Sequence, residues 1–530
     1  EVVVVENKTQ LMKYAGRGDE TPNLKCFVVY GEDIDPSSRV AFNVPIYSFN
    51  QFLALGTDVE YTHLEQRYTS LDPGNCSTLI YTSGTTGPPK AVMVSHDNIT
   101  WTVRNMFDTY LDMGYSDRIV SFLPLSHIAG QVIDIHGPMY CGACTYFAQP
   151  DALRGTLVET LKDVRPTLFF GVPRVWEKIE EKLKHAARHS TWSKKMIARW
   201  AKRVAAKRSQ SMQFGRNYLE PVTFKAANLI VLSKVKYLLG LDQARYCFTG
   251  AAPISTDTLY YFASLDIPIY EVFGQSECTG PHTISCPGQW RIGFCGRPIP
   301  GTETITHGDT GELCYRGRHV FMGYMHMPHK TAETIDTEGY LHSGDIAEFD
   351  DNNQYGMPAL SGFIKITGRI KDLIITAGGE NIPPVQIGNE VKNNMPCISN
   401  CVVCGDKMKY LTMLVALKTE IDPETLLPTN VLATEPRCVC TQIGSTARTV
   451  SQAASDPLWH EYINRGLEAV NAKAGSRAQV VQKWKFLPID LCEKRGELTP
   501  TLKVKRSVVV EEYSDLIASM YTDYASQPSI

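Results

Sequence analysis

The residues TLIYTSGTTGPPKAVMVSH, from Thr78 to His96, decide how the rest of this chain is interpreted. A short apolar, β-rich run is followed by eight residues drawn only from Thr, Ser, Gly and Pro, and then by a lysine. Glycines let backbone N–H groups turn toward an anion, while hydroxyl groups and an ammonium add donors and charge. The pattern predicts a strand that leads into a polyphosphate-binding loop. The predicted contacts are Thr82, Ser83, Gly84, Thr85, Thr86, Gly87, Pro88, Pro89 and Lys90.

The spacing within this loop separates it from the P-loop of ordinary nucleotide triphosphatases. Gly84 and Gly87 lie three residues apart, and no Ser or Thr follows Lys90, whereas the P-loop motif needs wider glycine spacing and a hydroxyl after its lysine. A polar surface loop is the alternative to a phosphate site.

Composition limits the classes of protein to which the chain can belong. The chain has 530 residues, 43% hydrophobic and 21% charged, which predicts a globular protein of two or three domains. The net charge of −3 gives no general attraction for nucleic acid, so we expect no nucleic-acid partner. Between Arg174 and Arg216, however, thirteen Lys or Arg residues face three Glu, with Trp176, Trp192, Ile197 and Trp200 interleaved. This segment predicts a basic amphipathic helix, which is either a solvated face or a peripheral contact with a membrane.

The cysteines indicate a reducing compartment. Fifteen are spread along the chain without a secreted framework, and the sequence shows neither a signal peptide nor eighteen consecutive apolar residues. The CxxC pairs Cys141–Cys144 and Cys401–Cys404 are interpreted as buried or incidental thiols, with zinc as a remote alternative. We expect a cytoplasmic protein, with peripheral attachment to the endoplasmic reticulum or other membranes as a further expectation.

Helix-like and strand-like runs alternate from Asp97 to Val175, which predicts an α/β sheet with crossover helices. Strand, turn, helix, strand and turn follow between Tyr246 and Gly280. The region from Asp422 to Ser455 is predicted to be rich in loops, and a helix is predicted near Leu458–Ala474. The chain opens in a strand-like run, EVVVVEN, as though it began inside a domain.

The motifs resemble a known superfamily. YTSGTTGPPK, YEVFGQSE, YLHSGD and GRIKD, in this order, resemble the adenylate-forming superfamily of acyl-CoA synthetases, luciferases and peptide-synthetase adenylation domains. Within it, VMVSHDNITW, FGVPRVWEKI, GRHVFMGY, ITAGGENIPP and LTPTLKVKR resemble the bubblegum-type long-chain fatty acyl-CoA synthetases along the whole chain. That group carries a long region ahead of the phosphate loop, where this chain has only 81 residues before Thr82, so we expect part of the large domain to be absent.

The resemblance implies a domain organisation. A large adenylation domain, 1–370, would contain mixed and parallel sheets with flanking helices and a small β subdomain. A hinge at Lys371 would join it to a smaller, mobile α+β domain, 371–530. Gly378 and Gly379 would let the pantetheine arm of coenzyme A pass at the domain interface.

Other site residues follow from the residues and the resemblance together. Aromatic and small residues suit adenine and the α-phosphate, and Glu277 is a hard oxygen ligand for Mg²⁺, although a helix-capping Ser–Glu pair is the alternative. Asp345 would accept the ribose hydroxyls and Arg369 would hold ribose or phosphate; an ordinary turn has the same composition. The predicted adenine and α-phosphate segment is Tyr270, Glu271, Val272, Phe273, Gly274, Gln275 and Ser276.

The acyl substrate and the catalytic lysine complete the predicted site. His127 would line the carboxylate pocket, Trp176 would gate the acyl tunnel, and Gly250 would let a flat ring approach; core packing is the alternative for the two side chains. Lys503 matches the lysine that enters the site during adenylation, and Lys505 is the competing candidate.

The implied reaction is ATP-dependent ligation of a long-chain, or very-long-chain, fatty acid to coenzyme A through an acyl-adenylate. ATP, Mg²⁺ and coenzyme A are the expected cofactors, and AMP and pyrophosphate the products. Lys503, Glu277 and Thr85 are the expected catalytic residues. The alternatives are adenylation of another carboxylic acid and a non-catalytic lipid- or nucleotide-binding protein of the same family.

Overall fold

The computed structural model describes residues 1–32, 41–82, 89–152, 155–188, 190–213, 221–350, 362–422, 424–425, 427–499 and 503–521. The chain divides into two compact units, Glu1–Asn75 and Cys76–Ile530. Among the described residues, no helix combines the length and the hydrophobicity that crossing a bilayer requires.

The first unit is a small parallel sheet with helices. Its strand order is β1-β2-β3, and the predicted strand in EVVVVEN is β1. Leu11, Phe27, Val29 and Ile46 form its core. The elements are β1 (Val2–Val5), α1 (Lys8–Leu11), β2 (Cys26–Val29), β3 (Ile46–Ser48), α2 (Phe49–Ala54) and α3 (Tyr61–Thr69).

The second unit begins with the predicted α/β region. Its elements are β4 (Cys76–Thr82), β5 (Lys90–Ser95), α4 (His96–Thr109), β6 (Arg118–Ser121), α5 (Ile128–Gly130), α6 (Gly137–Cys141), β7 (Cys144–Phe147), α7 (Leu157–Val164), β8 (Leu168–Phe170), α8 (Pro173–Arg188), α9 (Trp192–Met212), α10 (Val222–Ala227), α11 (Ser233–Leu239), β9 (Tyr246–Thr249), α12 (Thr256–Ala263), β10 (Ile269–Gln275), β11 (Gly280–Ile284) and β12 (Arg297–Pro298). The predicted basic segment is thus two helices, α8 and α9.

A seven-stranded sheet organises this region in the order β12-β11-β10-β9-β8-β6-β7. The strands from β7 to β10 run parallel, and β11 and β12 are antiparallel additions. The predicted α/β class is confirmed.

Helix α4 illustrates why these residues form a helix. Ser95 and Asn98 exchange side-chain-to-backbone hydrogen bonds at its start, and Ile99, Val103 and Met106 bury one face.

A four-stranded antiparallel sheet, β13-β14-β16-β17, forms the predicted small β subdomain. Strand β15 instead joins β5 and β4 in a separate three-stranded sheet, which ties the segment after β14 to the predicted phosphate loop. The elements are β13 (Glu303–His307), β14 (Glu312–Arg316), β15 (Gly323–Tyr324), α13 (Pro328–Thr334), β16 (Leu341–Phe349) and β17 (Ile364–Arg369).

The C-terminal region is α+β, as predicted. Strand β20 pairs antiparallel with β21, which pairs parallel with β24. The elements are β18 (Ile374–Ile375), β19 (Asn381–Ile382), α14 (Pro384–Asn394), β20 (Ile398–Cys404), β21 (Leu411–Leu417), β22 (Thr419–Ile421), β23 (Pro428–Leu432), α15 (Thr434–Ile443), α16 (Val450–Ser455), α17 (Pro457–Asn471), β24 (Val481–Phe486), α18 (Arg506–Glu512) and α19 (Ser514–Ala518).

The loop-rich prediction for Asp422–Ser455 is wrong, because β23, α15 and α16 lie there. Pro436 misled it. This proline occupies the first turn of α15, where a missing N–H costs no hydrogen bond.

The earlier and later parts of the second unit have separate hydrophobic cores. One core includes residues from Ile80 to Ile364, and two others include residues from Ile374 to Met520. The predicted domain boundary between 370 and 371 falls in the interval between them and stays a prediction. All fifteen cysteines are unpaired, and only Cys76, Cys144 and Cys438 are exposed.

Candidate functional site

The predicted phosphate loop connects the two strands of a hairpin. Strands β4 and β5 pair antiparallel, with Thr82 opposite Lys90, so the element that follows the predicted loop is a strand and not a helix. Lys90 Nζ lies 4.5 Å from the ring centroid of Tyr324 on the adjoining strand β15. Pro89 precedes β5. The other predicted contacts, Ser83, Gly84, Thr85, Thr86, Gly87 and Pro88, lie outside the described residues.

Glu277 is held in a short 3₁₀ turn between β10 and β11. The Tyr324 hydroxyl donates to Glu277 Oε1 at 2.8 Å, and the Phe321 N–H donates to the Glu277 carbonyl at 2.9 Å. Gly274 makes this turn possible, because a Cβ there would lie 1.8 Å from the carbonyl oxygen of Gly280. A carboxylate in this position supplies the hard oxygen that Mg²⁺ prefers, so the residue type fits the predicted metal.

Two residues of the predicted adenine segment have packing roles. Tyr270 is buried against the rings of Phe248 and Trp290. Glu271 Oε1 accepts the N–H of Gly293 at 2.7 Å, and burial raises the pKa of this carboxyl to about 8. These contacts favour structural roles over the predicted nucleotide contact.

The rest of that segment lies at the end of β10. Val272, Phe273 and Gln275 are partly exposed, and Ser276 is buried. Gln275 Nε2 donates to the Tyr315 hydroxyl at 2.8 Å.

Asp345 and Arg369 are brought together as neighbours on β16 and β17. Arg369 Nε donates to Asp345 Oδ1 at 2.9 Å, and Asp345 is only 3% exposed. Burial raises the pKa of Asp345, and the Arg369 charge opposes this. Asp345 Oδ2 is buried, and no group among the described residues donates a hydrogen bond to it. An orphaned carboxylate oxygen is costly unless a ligand supplies a donor, so the pair fits the hydroxyls of a ribose.

Sequence reasoning missed Glu312, which contacts the irregular part of β16 just before Asp345. Its two carboxylate oxygens contact the Gly344 N–H at 2.8 Å and His342 Nδ1 at 2.9 Å. Gly344 adopts a left-handed φ of 73° inside β16, a conformation that glycine takes without steric strain. Cys314 completes a group that also has metal-ligand spacing, and it does not include the CxxC cysteines. No local sequence pattern identified Glu312, because the residues that it contacts, His342 and Gly344, lie far along the chain.

Lys503 interacts with the Asp345–Arg369 pair across the predicted domain boundary. Burial and the Arg369 charge lower its pKa to about 8, and Asp345 opposes this shift. Lys503 in turn lowers the pKa of His127, although burial is the larger cause. Lys503 therefore lies within electrostatic range of Asp345, Arg369 and His127. Lys505 begins α18, to which its backbone contributes a cap.

The contacts of Trp176 and Gly250, the two remaining predicted substrate residues, indicate packing. Trp176 is fully buried between the rings of Phe169 and Phe262, and its Nε1–H donates to the Phe248 carbonyl at 3.1 Å. This favours core packing over the predicted gate. Gly250 follows β9 and lies close to the neighbouring strand β10, since a Cβ there would be 2.8 Å from the Val272 carbonyl oxygen.

The predicted hinge and coenzyme A residues lie on the surface. Lys371 is exposed in a 3₁₀ turn, and it and Lys90 both lower the pKa of Glu333 after the larger effect of Lys330. Gly378 and Gly379 are exposed in a turn after β18.

Helix α8 contacts the C-terminal region through ion pairs. Lys418 pairs with Glu181, and Lys392 Nζ lies 3.9 Å from Glu177. Ser255 also donates to Asn393 at 2.6 Å. These contacts accompany the arrangement in which Lys503 reaches Asp345.

Comparison with known proteins identifies the family of the chain. The profile of the AMP-binding enzyme family matches residues 4–325. The long-chain-fatty-acid–CoA ligase ACSBG2 of Xenopus laevis is 46% identical over 98% of this chain and 70% of its own length. The corresponding ligase ACSBG1 of Rattus norvegicus is 41% identical over 98% and 71%.

Solved structures support the fold. An anthranilate CoA ligase, AuaEII, bound to anthranoyl-AMP has a TM-score of 0.63 at 18% identity and covers 98% of this chain and 79% of its own. An AMP-bound didomain of the carboxylic acid reductase of Segniliparus rugosus has a TM-score of 0.66 at 19% identity, covering 99% and 66%. The resemblance inferred from the motifs is confirmed. The chain belongs to the AMP-binding enzyme family, in the group that contains the long-chain-fatty-acid–CoA ligases ACSBG1 and ACSBG2.

Proposed function

We propose that this protein ligates a long-chain fatty acid to coenzyme A through an acyl-adenylate, using ATP. The observation that carries the proposal is the electrostatic interaction of Lys503 with the Asp345–Arg369 pair, where one buried carboxylate oxygen has no donor within the described part of the chain. The relatives that match nearly the whole chain are ligases, which does not favour a non-catalytic role.

In the proposed first half-reaction, a fatty carboxylate oxygen attacks the α-phosphorus of ATP in line, and pyrophosphate leaves. Asp345 accepts the ribose hydroxyls, which fixes the nucleoside, and Arg369 holds Asp345 in place. Lys503 in its cationic form stabilises the charge on the transferring phosphoryl group. Glu277 would hold Mg²⁺, which when bound neutralises part of the triphosphate charge.

In the proposed second half-reaction, the thiol sulfur of coenzyme A attacks the acyl carbon, and AMP leaves. Lys503 must then leave the site so that the Gly378–Gly379 turn can approach, and Lys371 is the proposed hinge. The exposure of that turn while Lys503 occupies the site supports this order. Such a motion lets one centre meet two sets of groups.

The test is pyrophosphate exchange into ATP with and without a long-chain fatty acid. We expect exchange that requires the fatty acid, is lost in Lys503→Ala and is retained in Lys505→Ala. If an aryl or amino acid supported faster exchange than the fatty acid, that acid would replace the fatty acid as the proposed substrate. Exchange unaffected by Lys503→Ala would refute the role of this lysine.

We also propose a cytoplasmic location, which the fifteen unpaired thiols support. Fractionation of cells into cytosol, membranes and organelles tests it, and recovery from an oxidising compartment would contradict it.

A further inference from the structure

Helix α9 carries an exposed apolar stripe. Trp192, Met196 and Trp200 recur at every fourth position, so they share one side of the helix. Trp192 is 77% exposed and Trp200 37% exposed. Large aromatic side chains left in water at this spacing are a feature of surfaces that meet another phase or partner.

A basic stripe runs beside the apolar one. Arg199, Arg203 and Lys207 also recur at every fourth position, and all three are exposed. No ion pair among the described residues involves them. Residues 190–213 contain seven Lys or Arg and residues 221–240 contain three, and neither range contains Asp or Glu. Arg208 and Lys236, in contrast, are neutralised by Asp266.

The opposite side of α9 holds the helix to the protein. Ala201 and Ala205 are fully buried, and they belong to a core cluster with Phe224 of α10, Ala227 and Leu232. Because this small-residue face provides the packing, the exposed stripes are not needed to keep the helix in place. Their composition therefore requires another explanation.

We propose that the exposed face of α9 docks on an anionic phospholipid surface. Trp192 and Trp200 would lie at the level of the headgroups, where amphipathic indole rings are favoured, and Arg199, Arg203 and Lys207 would contact phosphate oxygens. The apolar stripe distinguishes this surface from a nucleic-acid site, because backbone recognition of a duplex relies on cations. The docking does not rest on the proposed ligase activity.

Cosedimentation of the full chain with vesicles tests the proposal. We expect binding to phosphatidylcholine vesicles that contain phosphatidylserine, weak binding to phosphatidylcholine alone, and release as salt concentration rises. Each cation near such a surface contributes about a fivefold gain, so replacing Arg199, Arg203 and Lys207 together by Gln should reduce partitioning about a hundredfold. The double variant Trp192→Ala and Trp200→Ala should weaken binding at every salt concentration.

Matched controls distinguish the surface from general stickiness. Phe147→Ala removes another exposed aromatic ring, and Lys330→Gln removes an exposed cation elsewhere; both should leave vesicle binding unchanged. An unchanged far-UV circular dichroism spectrum should show that every variant is folded. Equal binding to both vesicle types, or binding that all α9 variants retain, would overturn the proposal. So would salt-dependent binding to duplex DNA without binding to anionic vesicles.

Discussion

Alkaline pH should switch off the proposed adenylation step through Lys503. Burial, with a smaller contribution from the Arg369 charge, lowers the pKa of this lysine from 10.5 to about 8. Only the protonated amine stabilises negative charge on the transferring group. About one pH unit above its pKa, roughly a tenth of the free enzyme carries the cation, and about two units above, roughly a hundredth.

The expected result is a decrease of about tenfold per pH unit, above about pH 8, in kcat/KM for ATP in pyrophosphate exchange. The same parameter for a lysine of ordinary pKa would stay constant over that range. In kcat the decrease should begin at a higher pH, because the bound triphosphate stabilises the ammonium group and raises its pKa.

Lys503→Arg is the decisive control, since a guanidinium stays charged throughout this range. Whatever activity the variant retains should lose the alkaline decrease. Lys505→Ala, two residues away, should keep both the activity and the wild-type profile. A wild-type profile that stays flat, or an alkaline decrease that persists in Lys503→Arg, would refute the reasoning.

Asp345→Asn should raise KM for ATP and reduce the discrimination between ATP and 2′-deoxy-ATP, measured by exchange; unchanged discrimination would contradict the ribose contact. The pKa of buried His319 is lowered to about 4, so the unfolded state binds a proton that the folded state does not, and the free energy of unfolding should fall by about 1 kcal/mol per unit as pH falls from about 6.5 toward 4. Urea titrations should show a smaller pH dependence in His319→Asn. Lys418→Met, which removes one of the two cations that pair with Glu181 among the described residues, should slow adenylation more than thioester formation from a supplied acyl-adenylate, and equal losses would argue against a role for the pair in positioning Lys503. Trp176→Phe should cost about 1–3 kcal/mol of stability without changing the chain-length preference, and a changed preference would restore the gate interpretation.

The motifs predicted the fold and the outline of the site because each joined a local pattern to its chemistry. Alternating helix-like and strand-like runs predicted the α/β sheet, and the structure shows parallel strands from β6 to β10. The Ser-Gly pair before Asp345 predicted a turn that presents a carboxylate. The structure places this carboxylate on β16, opposite Arg369.

What the sequence could not indicate has a physical cause as well. The β10 residues are buried on both sides near Tyr270, so alternation does not tell which ring faces a ligand. The contacts of Glu312, and those of Tyr324 with Glu277, join segments far apart in sequence. A single sequence offers no local pattern for such pairs.

The distribution of cysteine exposure gives the native chain a built-in pair of probe sites. Cys144 is exposed in the predicted large domain and Cys438 is exposed in the C-terminal region, on either side of the proposed hinge. Burial raises the pKa of the partly exposed Cys141 and Cys401, so their thiols are less reactive toward maleimides at neutral pH. After replacement of exposed Cys76, a donor and an acceptor dye would attach selectively at the other two exposed thiols. Energy transfer between these dyes would then follow the domain rotation in real time.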